Sequence, residues 1–121
     1  MVDASDGAEL FQVHAEKVDG GDLLITLTGE IDLASRGRLD EVVALARSTR
    51  PLAVRVELSD VTFLGSDGVA FLIAIYHEVQ TADGELELRN PSRITTRALE
   101  ITGLLDLFKV VDDTADDADG R

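Results

Sequence analysis

The 121-residue sequence contains no cysteine and no tryptophan, and it has only two histidines. Without cysteine the chain cannot form a disulfide, a thiol nucleophile or a cysteine-ligated zinc or iron–sulfur site. The two histidines, His14 and His77, have no ligand partner at metal-binding spacing. Aromatic residues make up only 4% of the chain, so the core must be aliphatic. We therefore expect no metal and no cofactor.

Basic residues are also scarce, since 11 Lys and Arg face 24 Asp and Glu for a net charge of −13. Such an acidic protein repels phosphate backbones and anionic lipid, which argues against direct nucleic-acid or membrane-surface binding. The longest apolar run, Val69 to Tyr76, is too short to span a bilayer, so we expect no membrane insertion. The first residues show no basic start and no apolar signal stretch, which predicts a cytoplasmic protein.

The acidity is concentrated at the two ends of the chain. Residues 1–9 carry a net charge of −3, and residues 112–121, with five acids and one base, carry −4. Hydrophobic residues make up 45% of the whole sequence, which is too high a share for intrinsic disorder. We therefore predict one globular domain over residues 10–111 between an acidic N-terminal tail, 1–9, and an acidic C-terminal tail, 112–121.

Hydrophobic periodicity within the centre predicts alternating strands and helices. The predicted order is β-β-α-β-α-β-α-β, which implies crossover units and an α/β fold. Its sheet is small and mixed, with four to five strands, a parallel core and helices packed on it. The predicted strands are 10–18, 23–29, 52–58, 85–89 and 107–111, and the predicted helices are 34–47, 69–81 and 93–102, with a loop over 60–68.

The segment Leu58 to Gly68 places a serine where a strand turns into the most apolar helix. Local chemistry favours Ser66 or Asp67 as an N-cap of that helix. A nucleophile elbow needs glycine where Leu64 stands, so hydrolysis by Ser66 is a distant alternative. Phosphorylation of Ser66 is a third interpretation, because a phosphate there would meet free helix-terminal N–H groups and change how a partner binds.

A second acidic feature, Glu30 and Asp32, ends the central strand. Carboxylates at the carboxyl edge of a sheet lie where α/β folds place ligand contacts. The structural interpretation is a turn and helix cap, with Asp32 or Ser35 capping the predicted helix over 34–47. No phosphate-binding loop or dinucleotide fingerprint occurs in the sequence. Catalysis has no secure basis in these residues, and we expect a protein that is not an enzyme.

The run Leu58 to Leu72, with Phe63 two residues before Gly65-Ser66-Asp67-Gly68, resembles the signature of the sulphate transporter and anti-sigma factor antagonist (STAS) domain. That signature has Asp-Ser-Ser/Thr-Gly at the position of this turn. The segments 23–32 and 94–110 are similar to the early strand and the C-terminal part of that family. The resemblance covers about 100 residues, and chains of this length most resemble bacterial anti-sigma factor antagonists.

The resemblance implies a partner-switching protein. In that family the unmodified antagonist binds a GHKL-type serine-kinase anti-sigma factor and frees the sigma factor. Phosphorylation of the signature serine, here Ser66, breaks the complex, and a serine phosphatase restores it. Gly65 and Asp67 depart from the signature, which moves the carboxylate of the turn from one side of Ser66 to the other. The alternative within the same family is an adaptor subunit of a lipid-transport complex that is never phosphorylated.

We expect the partner-binding surface to gather the turn, the start of the following helix and the neighbouring acidic strand end. The expected contact residues are Glu30, Asp32, Gly65, Ser66, Asp67, Gly68, Leu72 and Tyr76.

Overall fold

The computed structural model describes residues 10–113, and the predicted tail 1–9 and residues 114–121 of the predicted tail 112–121 lie outside them. Five strands and three α-helices alternate within these residues, which confirms the predicted α/β class. The strands are β1 (Phe11–Lys17), β2 (Leu23–Ile31), β3 (Ala53–Leu64), β4 (Glu85–Arg89) and β5 (Lys109–Val111), and the helices are α1 (Arg36–Thr49), α2 (Ser66–Thr81) and α3 (Arg93–Ile101). Short 3₁₀ turns occupy Asp19–Gly21, Leu33–Ser35 and Leu105–Leu107.

The strands form one mixed sheet in the order β1-β2-β3-β4-β5. The β1–β2 hairpin is antiparallel, and the pairs β2–β3, β3–β4 and β4–β5 are parallel. The parallel pairs follow from the helical crossovers, because a helix between two strands returns the chain to the same edge. The carboxyl ends of β2 and β3 therefore meet at one edge of the sheet, where the predicted site residues lie.

One face of the sheet forms the core against the helices. The alternating residues of β2 and β3, such as Leu23, Ile25, Val54 and Val56, are fully buried. The intervening positions carry polar side chains that form ion pairs, for example Arg55 with Asp22 and with Glu87. Because successive side chains of a strand point to opposite faces, the aliphatic residues form a core on one face of the sheet.

Strand β3 is longer than predicted, and the predicted loop over 60–68 is wrong. The strand continues to Leu64 because residues 60–64 pair with the end of β2, Leu64 lying opposite Ile31. The register shifts twice along this pair, between Thr26 and Thr28 and between Gly29 and Glu30. Such irregularities break the period-two alternation, since Val61 and Leu64 are both buried at a spacing of three.

The other predicted boundaries that differ move by one to three residues, so that β2 ends at Ile31 instead of 29 and α2 begins at Ser66 instead of 69. Helix α1 begins at Arg36 because the preceding Leu33–Ser35 segment forms a separate 3₁₀ turn. Strand β5 begins at Lys109 because Leu105–Leu107 also forms a 3₁₀ turn. Asp113, assigned to the C-terminal tail by sequence, donates its backbone N–H to Asn90 Oδ1 at 2.7 Å. Its carboxylate also pairs with Arg89.

Candidate functional site

The turn between β3 and α2 holds Ser66 at the first position of the helix. Gly65 is the N-cap, with extended backbone, and its N–H donates to the Ile31 carbonyl at 2.8 Å. Its own carbonyl accepts the N–H groups of Gly68 and Val69, both at 3.0 Å. The interpretation of Ser66 or Asp67 as the N-cap is therefore wrong. Ser66 is exposed, and the first two backbone N–H groups of α2, those of Ser66 and Asp67, have no carbonyl partner within the helix.

Both glycines of the turn allow close packing. A Cβ on Gly65 would lie 3.0 Å from the Phe63 ring and 3.3 Å from the Asp32 Cβ. A Cβ on Gly68 would lie 2.4 Å from a Leu64 methyl carbon. Gly65 thus brings the ends of β2 and β3 together beside Ser66, whereas Gly68 is buried and lets α2 start directly over the core.

The acidic end of β2 is held by a buried serine. The Ser35 hydroxyl donates to the Glu30 carbonyl and accepts the Asp32 N–H, both at 3.2 Å. Asp32 Oδ1 in turn accepts the Ala34 N–H at 3.2 Å, which caps the 3₁₀ turn. Asp32 thus caps the 3₁₀ turn that leads into α1 and not the predicted helix over 34–47, and Ser35, at the N-cap position of α1, makes no side-chain cap hydrogen bond to that helix. The Ser35 hydroxyl also fixes Glu30, which is exposed, at the same sheet edge as Ser66.

Replacement of Ser35 by alanine is expected to lower the free energy of unfolding by about 1–3 kcal/mol. Ser35 is completely buried, so the change removes its two part-buried hydrogen bonds, with the Asp32 N–H and the Glu30 carbonyl. Urea denaturation followed by circular dichroism measures the effect. Ser48→Ala is the control, because its exposed hydroxyl bonds only to the Leu45 carbonyl within α1. Equal stabilities for the two variants would contradict the role assigned to Ser35.

The structure does not place all the predicted contact residues at this surface. Leu72 is fully buried because it lies on the core-facing stripe of α2 with Ile75 and Val79, so its assignment to a contact surface is wrong. Gly68 is buried as well, and it acts through packing. Tyr76 lies about 15 Å from Ser66 along the helix axis. Its ring makes an edge-to-face contact with the Phe108 ring, with centroids 5.9 Å apart.

Neither histidine forms a catalytic pair with Ser66. His77 lies eleven residues along α2, about 16 Å away, and its ring contacts Tyr76. His14 bonds with Glu16 on β1 at 2.9 Å. Over residues 10–113 the structure contains no group of three or more His, Asp or Glu arranged to hold a metal ion. In the same range no helix has both the length and the apolar character needed to cross a membrane.

Sequence reasoning missed the apolar component of the site. Leu33, Phe63 and Ile101 are large hydrophobic residues that are 69%, 48% and 77% exposed. A groove of about 500 Å³ also runs between α2 and α3, next to Ser66. We call it the α2–α3 groove, and its apolar wall includes Leu64, Val69, Ile73, Ala98 and Ile101. The spacing of Ile94, Ala98 and Ile101 on one face of α3 was the available signal.

The arrangement joins three features at one edge of the sheet. Ser66 offers an exposed hydroxyl, Glu30, Asp32 and Asp67 offer carboxylates, and the α2–α3 groove offers apolar surface. Large exposed apolar residues next to polar ones are typical of protein–protein contact surfaces. The site therefore fits recognition of another protein better than chemistry on a small substrate.

Comparison with protein families gives a match to the STAS domain over residues 13–118. The chain is 33% identical over 95 residues to the anti-sigma-B factor antagonist of Bacillus subtilis (strain 168), covering 78% of this chain and 85% of that protein. It is 29% identical over 90 residues to the anti-sigma-B factor antagonist of Staphylococcus aureus (strain NCTC 8325 / PS 47), covering 74% and 83%.

Solved structures show the same fold. An anti-sigma factor antagonist from Mycobacterium paratuberculosis superposes with a TM-score of 0.74 at 27% identity, covering 86% of this chain and 87% of that one. The anti-sigma factor antagonist SpoIIAA in its unphosphorylated form gives a TM-score of 0.71 at 19% identity, covering 91% and 98%. The Bacillus cell fate determinant SpoIIAA in its phosphorylated form gives 0.68 at 19% identity, covering 91% and 100%.

Proposed function

This chain belongs to the STAS domain family, and from that premise we propose that it is an anti-sigma factor antagonist that binds an anti-sigma factor through the surface around Ser66. The relatives at 33% and 29% identity carry this function in their names, and the matched region spans most of both proteins. The structural observation that supports the proposal is the exposed Ser66 beside carboxylates and an apolar groove.

The finer mechanism in this proposal is a partner switch. The unmodified protein binds a GHKL-type serine-kinase anti-sigma factor in the cytoplasm and so releases the sigma factor. The kinase then transfers a phosphoryl group from ATP to the Ser66 hydroxyl, and a serine phosphatase removes it. SpoIIAA, which has the same fold, is known in both unphosphorylated and phosphorylated forms. In this mechanism the protein controls transcription without catalysis and without touching DNA.

The physical basis of the switch is the position of Ser66. A phosphate carries a charge of about −1.5 to −2 near neutral pH, and it would stand next to Asp67 and the apolar groove. The unpaired N–H groups at the start of α2 would hold it without unfolding the helix. Modification would therefore change the binding surface and leave the fold intact.

The test is phosphoryl transfer from the cognate anti-sigma kinase and ATP, measured by intact mass. Wild type is expected to gain one phosphate, and Ser66→Ala is expected to gain none, because it lacks the acceptor hydroxyl. Ser59→Ala is the matched control, since Ser59 is also exposed but lies within β3. A phosphate gain by Ser66→Ala equal to that of wild type would overturn the assignment of Ser66.

Purification of the protein together with its native partners distinguishes the adaptor alternative from the antagonist function. An antagonist is expected to co-purify with its anti-sigma kinase, and an adaptor with the ATPase of a transporter. Stable association with a transporter ATPase, together with no phosphate on Ser66, would favour the adaptor function.

A further inference from the structure

The α2–α3 groove has no apolar occupant within residues 10–113. Its walls are apolar side chains of the two helices, and Ser66 and Gly65 line its end at the sheet edge. Ile101 stands on the wall with 77% of its surface exposed. Exposure of this much aliphatic surface is unfavourable in water by about 25 cal/mol per Å², so a bound apolar side chain would stabilise it.

The carboxylates next to the groove are also without ion-pair partners in the described part of the chain. Glu30, Asp32 and Asp67 make no salt bridge there, although Arg36 lines the neighbouring α1–α2 groove with Asp67. Some carboxylates elsewhere are paired, such as Glu78 with Arg47 at 2.8 Å. The hydrogen bond that Arg89 donates to the Asp113 carboxylate likewise raises the pKa of Arg89 above its ordinary value. Within residues 10–113, Glu30, Asp32 and Asp67 thus place three carboxylates without salt bridges at the sheet edge near Ser66, and Asp32 lies beside Gly65, which lines the groove.

This charge pattern distinguishes between the occupants that the groove could accept. The chain's own ends are acidic. Residues 112–121 contain five acids, and their apolar side chains are those of alanine. A second copy would bring a net charge of −13 against the same carboxylates. Both are disfavoured by like-charge repulsion, whereas a partner with basic residues around an apolar side chain is favoured.

We propose that the α2–α3 groove receives an apolar side chain of the anti-sigma kinase, and that Lys or Arg residues of the kinase flank it and face Glu30, Asp32 and Asp67. This inference rests on the proposed function and adds the chemistry by which the partner is recognised. The apolar contact supplies affinity, because buried apolar anchors dominate interfaces. The carboxylates raise the rate of association with the kinase and fix the orientation in which it binds.

The proposal also gives the phosphate on Ser66 a specific effect. Ser66 lines the groove, so a phosphate there would place a strongly hydrated dianion where the apolar side chain must enter. Burying that charge without a partner is costly, and the anchor would be excluded even where basic residues attract the phosphate. Loss of binding would then persist at high ionic strength, where simple charge repulsion is screened.

The test measures affinity of the cognate kinase for Ile101→Lys by isothermal titration calorimetry, with Leu52→Lys as the matched control. Leu52 is 68% exposed and precedes β3, at the opposite edge of the sheet from Ser66. We expect Ile101→Lys to bind about tenfold or more weakly and Leu52→Lys to bind as wild type does. Thermal melts should be unchanged, since both side chains are largely exposed.

A second pair of variants tests the charges. Glu30→Gln combined with Asp67→Asn is expected to weaken binding by about threefold to tenfold at low ionic strength and to reduce its salt dependence. Glu85→Gln, exposed at the start of β4, is the control. If wild type fails to bind the kinase at all, the proposed function fails. If wild type binds and Ile101→Lys binds equally well, the function stands and the groove assignment is overturned.

Discussion

Ser66→Glu is expected to weaken binding of the cognate anti-sigma kinase by at least about a hundredfold. The variant places a permanent carboxylate at the end of an apolar groove and beside Asp67. Pressing an unpaired charge against an apolar partner surface costs about 3 kcal/mol or more, which corresponds to roughly a hundredfold in affinity. Calorimetric titration of the kinase with the variant measures the loss directly.

The fold of Ser66→Glu is expected to be intact. Ser66 is exposed at the first position of α2, where a negative charge interacts favourably with the helix dipole by about 0.3–1 kcal/mol. The thermal midpoint should therefore stay the same or rise slightly. Ser59→Glu is the matched control, because it adds the same charge at an exposed position within β3. Wild-type affinity in Ser66→Glu, or an equal loss in Ser59→Glu, would contradict a switch at Ser66.

The position of Ser66 could be predicted from sequence because two glycines and a serine stand between strong strand and helix patterns. The local geometry around Ser66 could not be predicted from the sequence. The long strand β3 is hidden by the register shifts in its pairing with β2, which depend on residues more than 30 positions apart. The N-cap likewise falls on Gly65 instead of a polar residue, because the Gly65 N–H is bonded to the Ile31 carbonyl of the neighbouring strand.

The apolar part of the site was harder to predict because α3 has two candidate apolar stripes. Ile94 and Ile101 define one, and Thr95 and Leu99 define the other. Side-chain hydrophobicity alone favours burial of the isoleucines, yet Thr95 and Leu99 are fully buried. The Ser92 hydroxyl bonds with the Thr95 hydroxyl at 3.0 Å, which satisfies that polar group inside the fold. Tertiary packing thus turns Ile94 and Ile101 outward, where they are 44% and 77% exposed.

At the acidic end of β2, Asp32 has a structural role beside its proposed role in partner binding. Asp32 caps the 3₁₀ turn before α1 with one carboxylate oxygen, whereas the sequence predicted a cap of the helix itself, and its Cβ lies close to Gly65. A larger residue than glycine at position 65 would press on Asp32 and on the Phe63 ring. Glycine at position 65, which departs from the family signature, therefore leaves room for the Phe63 ring. That ring lies against the turn and is half exposed.

Leu72→Ala is expected to lower the free energy of unfolding by about 2–5 kcal/mol without changing the affinity of the folded protein for its kinase. Leu72 is fully buried in the core, so truncation removes apolar contacts and leaves a cavity. In a domain of this size each kcal/mol lowers the melting temperature by about 4–8 °C. The expected fall is therefore at least about 8 °C, measured by calorimetry or circular dichroism.

The combination of the two measurements decides where Leu72 acts. Leu52→Ala is the control for stability, because Leu52 is 68% exposed and its truncation should change the unfolding free energy by no more than about 0.5 kcal/mol. Binding is measured well below the melting temperature, so that the folded fraction is the same for each protein. Weaker binding by Leu72→Ala with unchanged stability would return this residue to the contact surface. Reduced stability with unchanged binding would confine the surface to the exposed residues around Ser66 and the α2–α3 groove.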